Sequence, residues 1–162
     1  MVYFHKEENN MINDLTKAVF GDNLEKSFKL ADILEDLDNW NLLNHGEMAE
    51  LAISFKSGVK KCDKMTENID LVSGKQIKHA KTYYRKGVWI ATVSRNTTAP
   101  MLVVITEQNT KKQYYLNIPY SAHKHLSGNT IGVSFGPNGT SKNSQWMYYE
   151  VKDFATLCEQ AK

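Results

Sequence analysis

The chain has 162 residues, of which 41% are hydrophobic and 23% charged, and its formal net charge is +2. That is enough chain for one core and too apolar for a disordered protein, and it lacks the run of about 20 apolar residues a membrane-crossing helix needs. Two cysteines without metal-ligand spacing, Cys62 and Cys158, and the absence of a signal-peptide pattern point to reduced thiols in a cytoplasmic or other intracellular compartment, with no membrane partner.

The first 60 residues read as helical. Residues 1–43 form a predicted helical extension, in which Leu24, Phe28, Ile33, Leu34 and Leu37 fall near helical spacing behind an Asn23 cap. Residues 44–162 form a predicted α/β core, continuous with the extension as one domain. The core opens with a second amphipathic stretch, GEMAELAISF, starting at Asn44 or His45 and stopping at Ser57-Gly58.

The pattern then changes to strands. NIDLVSGKQIKHA, residues 68–80, reads as a hairpin. Gln76 and Lys78 share one strand face, with Ile77 opposite. A three-residue loop, Ser73-Gly74-Lys75, would pair Leu71 with Ile77 on the core face and bring Asp70 opposite Lys78, with Gly74 as the left-handed residue. GVWIATVS, PMLVVIT, QYYLNIP, TIGVSF and QWMYYEV follow as strands rich in Val, Ile, Tyr and Trp. The Gly/Asn/Ser-rich residues 127–144 read as a mobile loop pair around one short strand, and residues 153–161 as a closing amphipathic helix. Helices, then a mostly antiparallel sheet, then a helix give an α+β, or mixed α/β, class.

The net charge hides an asymmetry. Residues 1–50 hold four Lys against eleven acids (−7), residues 51–100 ten Lys and Arg against three acids (+7), and residues 101–162 six against four (+2). Lys75, Lys78, Lys81, Arg85 and Lys86 follow one another with no acid between. A basic middle suits a polyanion such as double-stranded DNA, with Lys75, Lys81, Arg85 and Lys86 as phosphate contacts. Pairing of acidic with basic segments across the fold is the alternative.

A carboxylate and an amide oxygen beside a lysine form a group with a use: Asp70 and Gln76 offer hard oxygen ligands for Mg²⁺, and Lys78 can orient a water or stabilise charge on a phosphoryl group. A single carboxylate holds Mg²⁺ weakly, so a second acid is expected from the preceding helix, where Glu47 and Glu50 lie three apart on one face. The plain alternative is the solvated face of a hairpin.

GEMAE, then IDLV, then QIK resembles the PD-(D/E)XK nuclease superfamily, in the branch whose last motif begins with Gln: Mrr-type restriction enzymes and group I intron-associated homing endonucleases. Gly46 and Glu50 match its Gly-x-x-x-Glu helix, residues 69–72 its Asp-Leu-Val strand and residues 76–78 its Gln-x-Lys strand; the likeness covers residues 44–120. Ile69 stands where the namesake Pro would be. The resemblance implies a restriction-endonuclease-like mixed sheet flanked by helices and Mg²⁺-dependent cleavage of duplex DNA (Mn²⁺ substituting) at selected sites by a homodimer or higher oligomer. It also implies Glu50 as the helix acid, with Glu47 in reserve, and Asp70, Gln76 and Glu50 as metal ligands with Lys78 beside them. A non-catalytic nucleic-acid-binding or interaction domain on the same fold is the alternative.

Other candidates have plainer readings. His123 and His125 are expected as surface polar groups, His79 as a structural histidine, and Met101, Trp146 and Trp89 as core. Tyr83 and Tyr84, interleaved with basic residues, could stack or track phosphates.

Overall fold

The computed structural model describes residues 45–62, 69–95 and 98–162; the expected helix over residues 23–37 lies outside them. Helix α1, His45–Ser57, buries Met48, Ala49, Ala52 and Ile53, which recur on one face at helical spacing. It ends where Gly58 donates its N–H to Ser54 O at 3.0 Å.

Among the described residues seven strands follow: β1 Gln76–Lys81, β2 Tyr83–Arg85, β3 Val88–Ser94, β4 Met101–Thr106, β5 Gln113–Ile118, β6 Thr130–Ser134 and β7 Glu150–Val151. They form a four-stranded sheet in the order β1-β4-β5-β7 and a three-stranded sheet in the order β2-β3-β6. β1 runs parallel to β4, and every other pairing is antiparallel. Short helices α2, Tyr120–His123, and α3, Phe154–Gln160, complete the described chain, which is mixed α+β.

β4 explains the architecture. All six of its residues are buried, because both of its faces are covered. Leu102 and Val104 join α1 and α3 residues in one core, with Ile77, Leu71 and Leu157. Met101, Val103 and Ile105 join Ala91, Val93, Ile131 and Val133 of the second sheet in the other. The alternation of side chains along one strand therefore assigns the helices to one face and the second sheet to the other. An unbroken apolar run such as MLVVI is the sequence form of a strand buried twice.

Several expectations need correction. QWMYYEV is not one strand: Gln145–Tyr149 is a 3-10 turn, and only Glu150–Val151 is extended. Trp146 and Met147, neighbours in sequence, are both buried in this turn, and the Ser144 hydroxyl accepts the Trp146 N–H to cap it. The loop expected to be mobile is seated at one point, where a Cβ on Gly139 would lie 3.3 Å from the Trp89 indole. The closing helix is as expected, with the Asp153 carboxylate accepting from Thr156 N at 2.8 Å.

His123 is also not a surface group. It is fully buried at the end of α2, its Nε2 3.1 Å from Ala99 O. Burial holds its pKa below the ordinary 6.5, and the nearby Arg95 guanidinium pushes the same way, against the Ala99 hydrogen bond. The unfolded chain therefore takes up this proton at higher pH than the folded one. Unfolding free energy should hold its His123 contribution above pH 6.5 and lose it as pH falls from there through the lowered value. Denaturant titrations at successive pH values should show this loss in the wild type and its absence in His123→Gln; identical pH profiles would refute it.

Candidate active site

The chain around Asp70 does not form the expected hairpin. Among the described residues β1 pairs only with β4, from Gln76↔Met101 to Lys81↔Thr106, so Asp70 does not face Lys78 across a ladder. Residues 70–72 pair instead with residues 60–62: Cys62 N donates to Asp70 O at 2.7 Å, Val72 N donates to Lys60 O at 2.9 Å, and Lys61 bridges Leu71. The physical reason is a tight turn. Asp70 N and Leu71 N both donate to Lys75 O, at 3.1 and 3.0 Å, and Gly74 N donates to Leu71 O. Gly74, at φ +90°, takes the left-handed conformation that this closure demands.

The turn still delivers Asp70 to β1. Its Oδ2 accepts the Ile77 N–H at 2.7 Å, on the side of β1 away from β4 and between Gln76 and Lys78 in sequence. The turn is fixed from behind, where Ser73 Oγ donates to Ala161 O at 2.6 Å and Lys75 Nζ donates to Gln160 O. A cation at those carbonyls suits the C-terminal end of α3. Lys75, expected on DNA, is thus engaged in holding the turn.

Glu50 reaches the same place from α1. Burial pushes its carboxyl above the ordinary carboxylate range; the Lys61 ammonium, 3.0 Å from Oε2, pulls it back, and the Asp70 carboxylate raises it by repulsion and by a shared hydrogen bond. The net shift is upward. Two carboxyl groups are therefore held together where their joint ionisation is opposed, and this is an arrangement a cation relieves. Glu47 sits half-buried in the first turn of α1.

On β1, Gln76 and Lys78 share a face by strand alternation, while Ile77 packs into the α1 core. Gln76 is 7% exposed and, among the described residues, its Oε1 is buried without a hydrogen-bond partner. A buried carbonyl oxygen left unbonded costs about 1–3 kcal/mol. Lys78 is half-buried. His79 stacks on His45 with ring centroids 5.0 Å apart, and its Nε2 meets Thr106 Oγ1 at 2.9 Å, as a structural histidine would.

Two carboxylates and an amide oxygen suit a hard divalent cation. Among the described residues no group of three or more His, Cys, Asp or Glu side chains is disposed around a metal position, so such a cation would keep much of its water. Sequence reasoning missed Lys61, whose place beside Glu50 depends on a pairing between two segments that nothing local in either one announces. Arg85 and Lys86 are exposed, and Lys81 is half-buried at the end of β1. No helix among the described residues is long and apolar enough to cross a membrane.

Comparison with protein-family models, with curated proteins and with solved structures finds no match to this chain.

Proposed function

We propose that the chain is a divalent-metal-dependent endonuclease that hydrolyses phosphodiester bonds in duplex DNA, on a restriction-endonuclease-like core. The observation that carries this is the meeting of the Glu50 and Asp70 carboxyl groups at the edge of the strand that bears Gln76 and Lys78. Those are the four residues that the nuclease resemblance singles out. Glu50 and Asp70 come together although the hairpin register expected for Asp70 is absent, while Gln76 and Lys78 lie on the face of β1 opposite Ile77.

In this proposal Asp70 and Glu50 supply the anionic ligands, and the unbonded Gln76 oxygen supplies a neutral one. Mg²⁺ or Mn²⁺, when bound, polarises the phosphodiester and lowers the pKa of water. Lys78 orients the attacking water and offsets charge developing on the phosphoryl oxygens. Lys61 neutralises Glu50 in the metal-free protein and must yield that carboxylate when the metal enters. Ile77 N–H fixes the Asp70 carboxylate, so the ligand is oriented before metal arrives.

The Lys61–Glu50 ion pair favours a second proposal, a nucleic-acid-binding domain without catalysis, because the pair already balances one of the two acids. Incubating the protein with supercoiled plasmid in Mg²⁺, Mn²⁺ or EDTA separates the two. Nicked and linear products that need the metal support the nuclease. Retardation of the plasmid with no cleavage in either metal would support the binding domain instead.

A further inference from the structure

We infer that the β2–β3 ribbon reads base sequence by lying in the major groove of the duplex. The inference rests on the proposal of a DNA nuclease and adds the element that selects its target. All three β2 residues are exposed, although their side chains alternate between the two faces of the strand. Both faces of β2 are therefore open to solvent, which holds for a strand that stands clear of the core. Its partner positions are Tyr83↔Ile90, Tyr84↔Trp89 and Arg85↔Val88.

The tip is shaped and the base is clamped. Lys86 at φ 50° and Gly87 at φ 85° are successive left-handed residues, the turn whose twist matches a two-residue hairpin. Arg85 and Lys86 are both exposed there. Below the tip, the Tyr83 hydroxyl meets Thr92 Oγ1 at 2.9 Å, and Tyr84 packs edge-on to Trp89 with centroids 5.5 Å apart. The Trp89 backbone N–H in turn donates to Gly136 O at 2.9 Å, and Gly139 lies against the Trp89 ring. The rings are thus oriented while the basic tip is left open.

Charge names the partner. Residues 71–149 contain ten Lys and Arg and a single acid, Glu107. Glu107 is buried, with its carboxylate accepting from Asn109 N at 3.0 Å and Thr110 N at 2.7 Å, so it offsets nothing at the ribbon. The B-DNA major groove, about 12 Å wide, admits a two-stranded ribbon and shows a distinct donor and acceptor pattern for each base pair, whereas the minor groove, about 6 Å wide, shows a degenerate one. An arginine fork at the tip suits the paired acceptors of guanine. Tyr83 and Tyr84 point to opposite faces of one strand and so cannot form a single platform for successive unpaired bases. From Lys78 to Arg85 the backbone reaches at most about 23 Å at ~3.3 Å per residue, about seven base pairs at ~3.4 Å each, to which the reach of the two long side chains adds.

The test selects a randomised duplex library by gel shift with the full-length protein in EDTA, where no cleavage occurs. The wild type should retain a sequence preference. Arg85→Ala should lose between about fivefold and a hundredfold of it at one base-pair position. Arg85→Lys should lose the same preference while keeping the salt dependence. Lys86→Ala should weaken all sequences alike and lower the magnitude of the slope of log affinity against log salt by about 0.9. An unchanged preference in Arg85→Ala overturns the inference, as does a wild type without preference, tighter binding to single strands than to duplex, or no duplex binding. Preference lost in Arg85→Ala by a protein that never cuts DNA in Mg²⁺ would leave the ribbon standing and remove the nuclease. Mg²⁺-dependent cleavage by a protein whose preference ignores Arg85 would do the reverse.

Discussion

Asp70→Asn should lower DNA cleavage by at least about a hundredfold, the usual loss when one preorganised electrostatic group is removed from a hydrolytic centre. The fold should survive. Asp70 Oδ2 accepts the Ile77 N–H, and the carbonyl oxygen of Asn can take its place, so what is lost is the charge assistance of one hydrogen bond, about 1 kcal/mol. Removing the negative charge beside Glu50 works in the opposite direction, because Asp70 is one of the groups holding the Glu50 pKa up. Asp70→Ala differs: it strands the Ile77 N–H at the sheet edge and loosens the turn behind it, so its melting temperature should fall further than that of the Asn variant. DNA affinity in EDTA should persist or rise in Asp70→Asn, since one charge repelling phosphate is gone. Lys78→Ala should also abolish cleavage but reduce affinity slightly. Wild-type cleavage by Asp70→Asn, at unchanged metal concentration, would remove Asp70 from the chemistry and return it to the role of a strand-edge cap.

What could be read from the sequence was whatever repeats locally. α1 and its stop at Gly58, the buried strand β4, the alternating β5 and the Asp153 cap all follow from apolar spacing and cap chemistry within a few residues. The choice of Leu71 and Ile77 for the core follows in the same way, and both are in it. What failed was pairing at a distance. β1 finds its partner 25 residues away in β4, in parallel (Gln76↔Met101), and periodicity alone does not say which of two neighbouring strands a segment joins. The hairpin register was therefore wrong, yet Asp70 and Gln76 remained close because the turn is short enough to force it. His123 was misjudged for a related reason. Its Ala99 partner and its burial depend on Arg95, whose guanidinium donates to His123 O and Leu126 O and so draws that loop inward. Trp146 and Met147 were misassigned because aromatic and β-favouring residues outweighed the Ser144 cap in front of them. An acid of α1 beside Asp70 is expected from ligand chemistry, and only the choice of Glu50 over Glu47 comes by way of the resemblance. The Lys61 ion pair was not expected at all.

Glu50→Gln should melt higher than the wild type at neutral pH in EDTA and should no longer respond to metal. The sign follows from the direction of the shift. The Glu50 pKa is raised in the fold above its ordinary 4.5, so the folded protein binds this proton more readily than the unfolded chain does. Its contribution to stability is complete below pH 4.5 and is lost as pH rises through the raised value. At neutral pH the folded protein carries a carboxylate that burial and Asp70 both oppose, and glutamine removes that opposition. The competing loss is the Lys61 ion pair, but both side chains keep access to water, at 33% and 22% exposure, and pairs of that kind contribute about 0–1 kcal/mol. The net upward shift says which effect is larger. The gap in melting temperature between the two proteins should therefore close as pH is lowered toward 4.5. Mg²⁺ supplies the second readout. At about a hundred times its dissociation constant a ligand adds roughly 2.7 kcal/mol to stability, or a rise of about 5–10 °C for a protein of this size. That rise should appear in the wild type, and most of it should vanish in Glu50→Gln while Glu47→Gln keeps it. If Glu47→Gln loses the response and Glu50→Gln keeps it, the helix acid has been assigned one turn too late. If neither variant changes it, the two carboxylates at the edge of β1 hold no metal, and the raised proton affinity of Glu50 is a cost of packing alone.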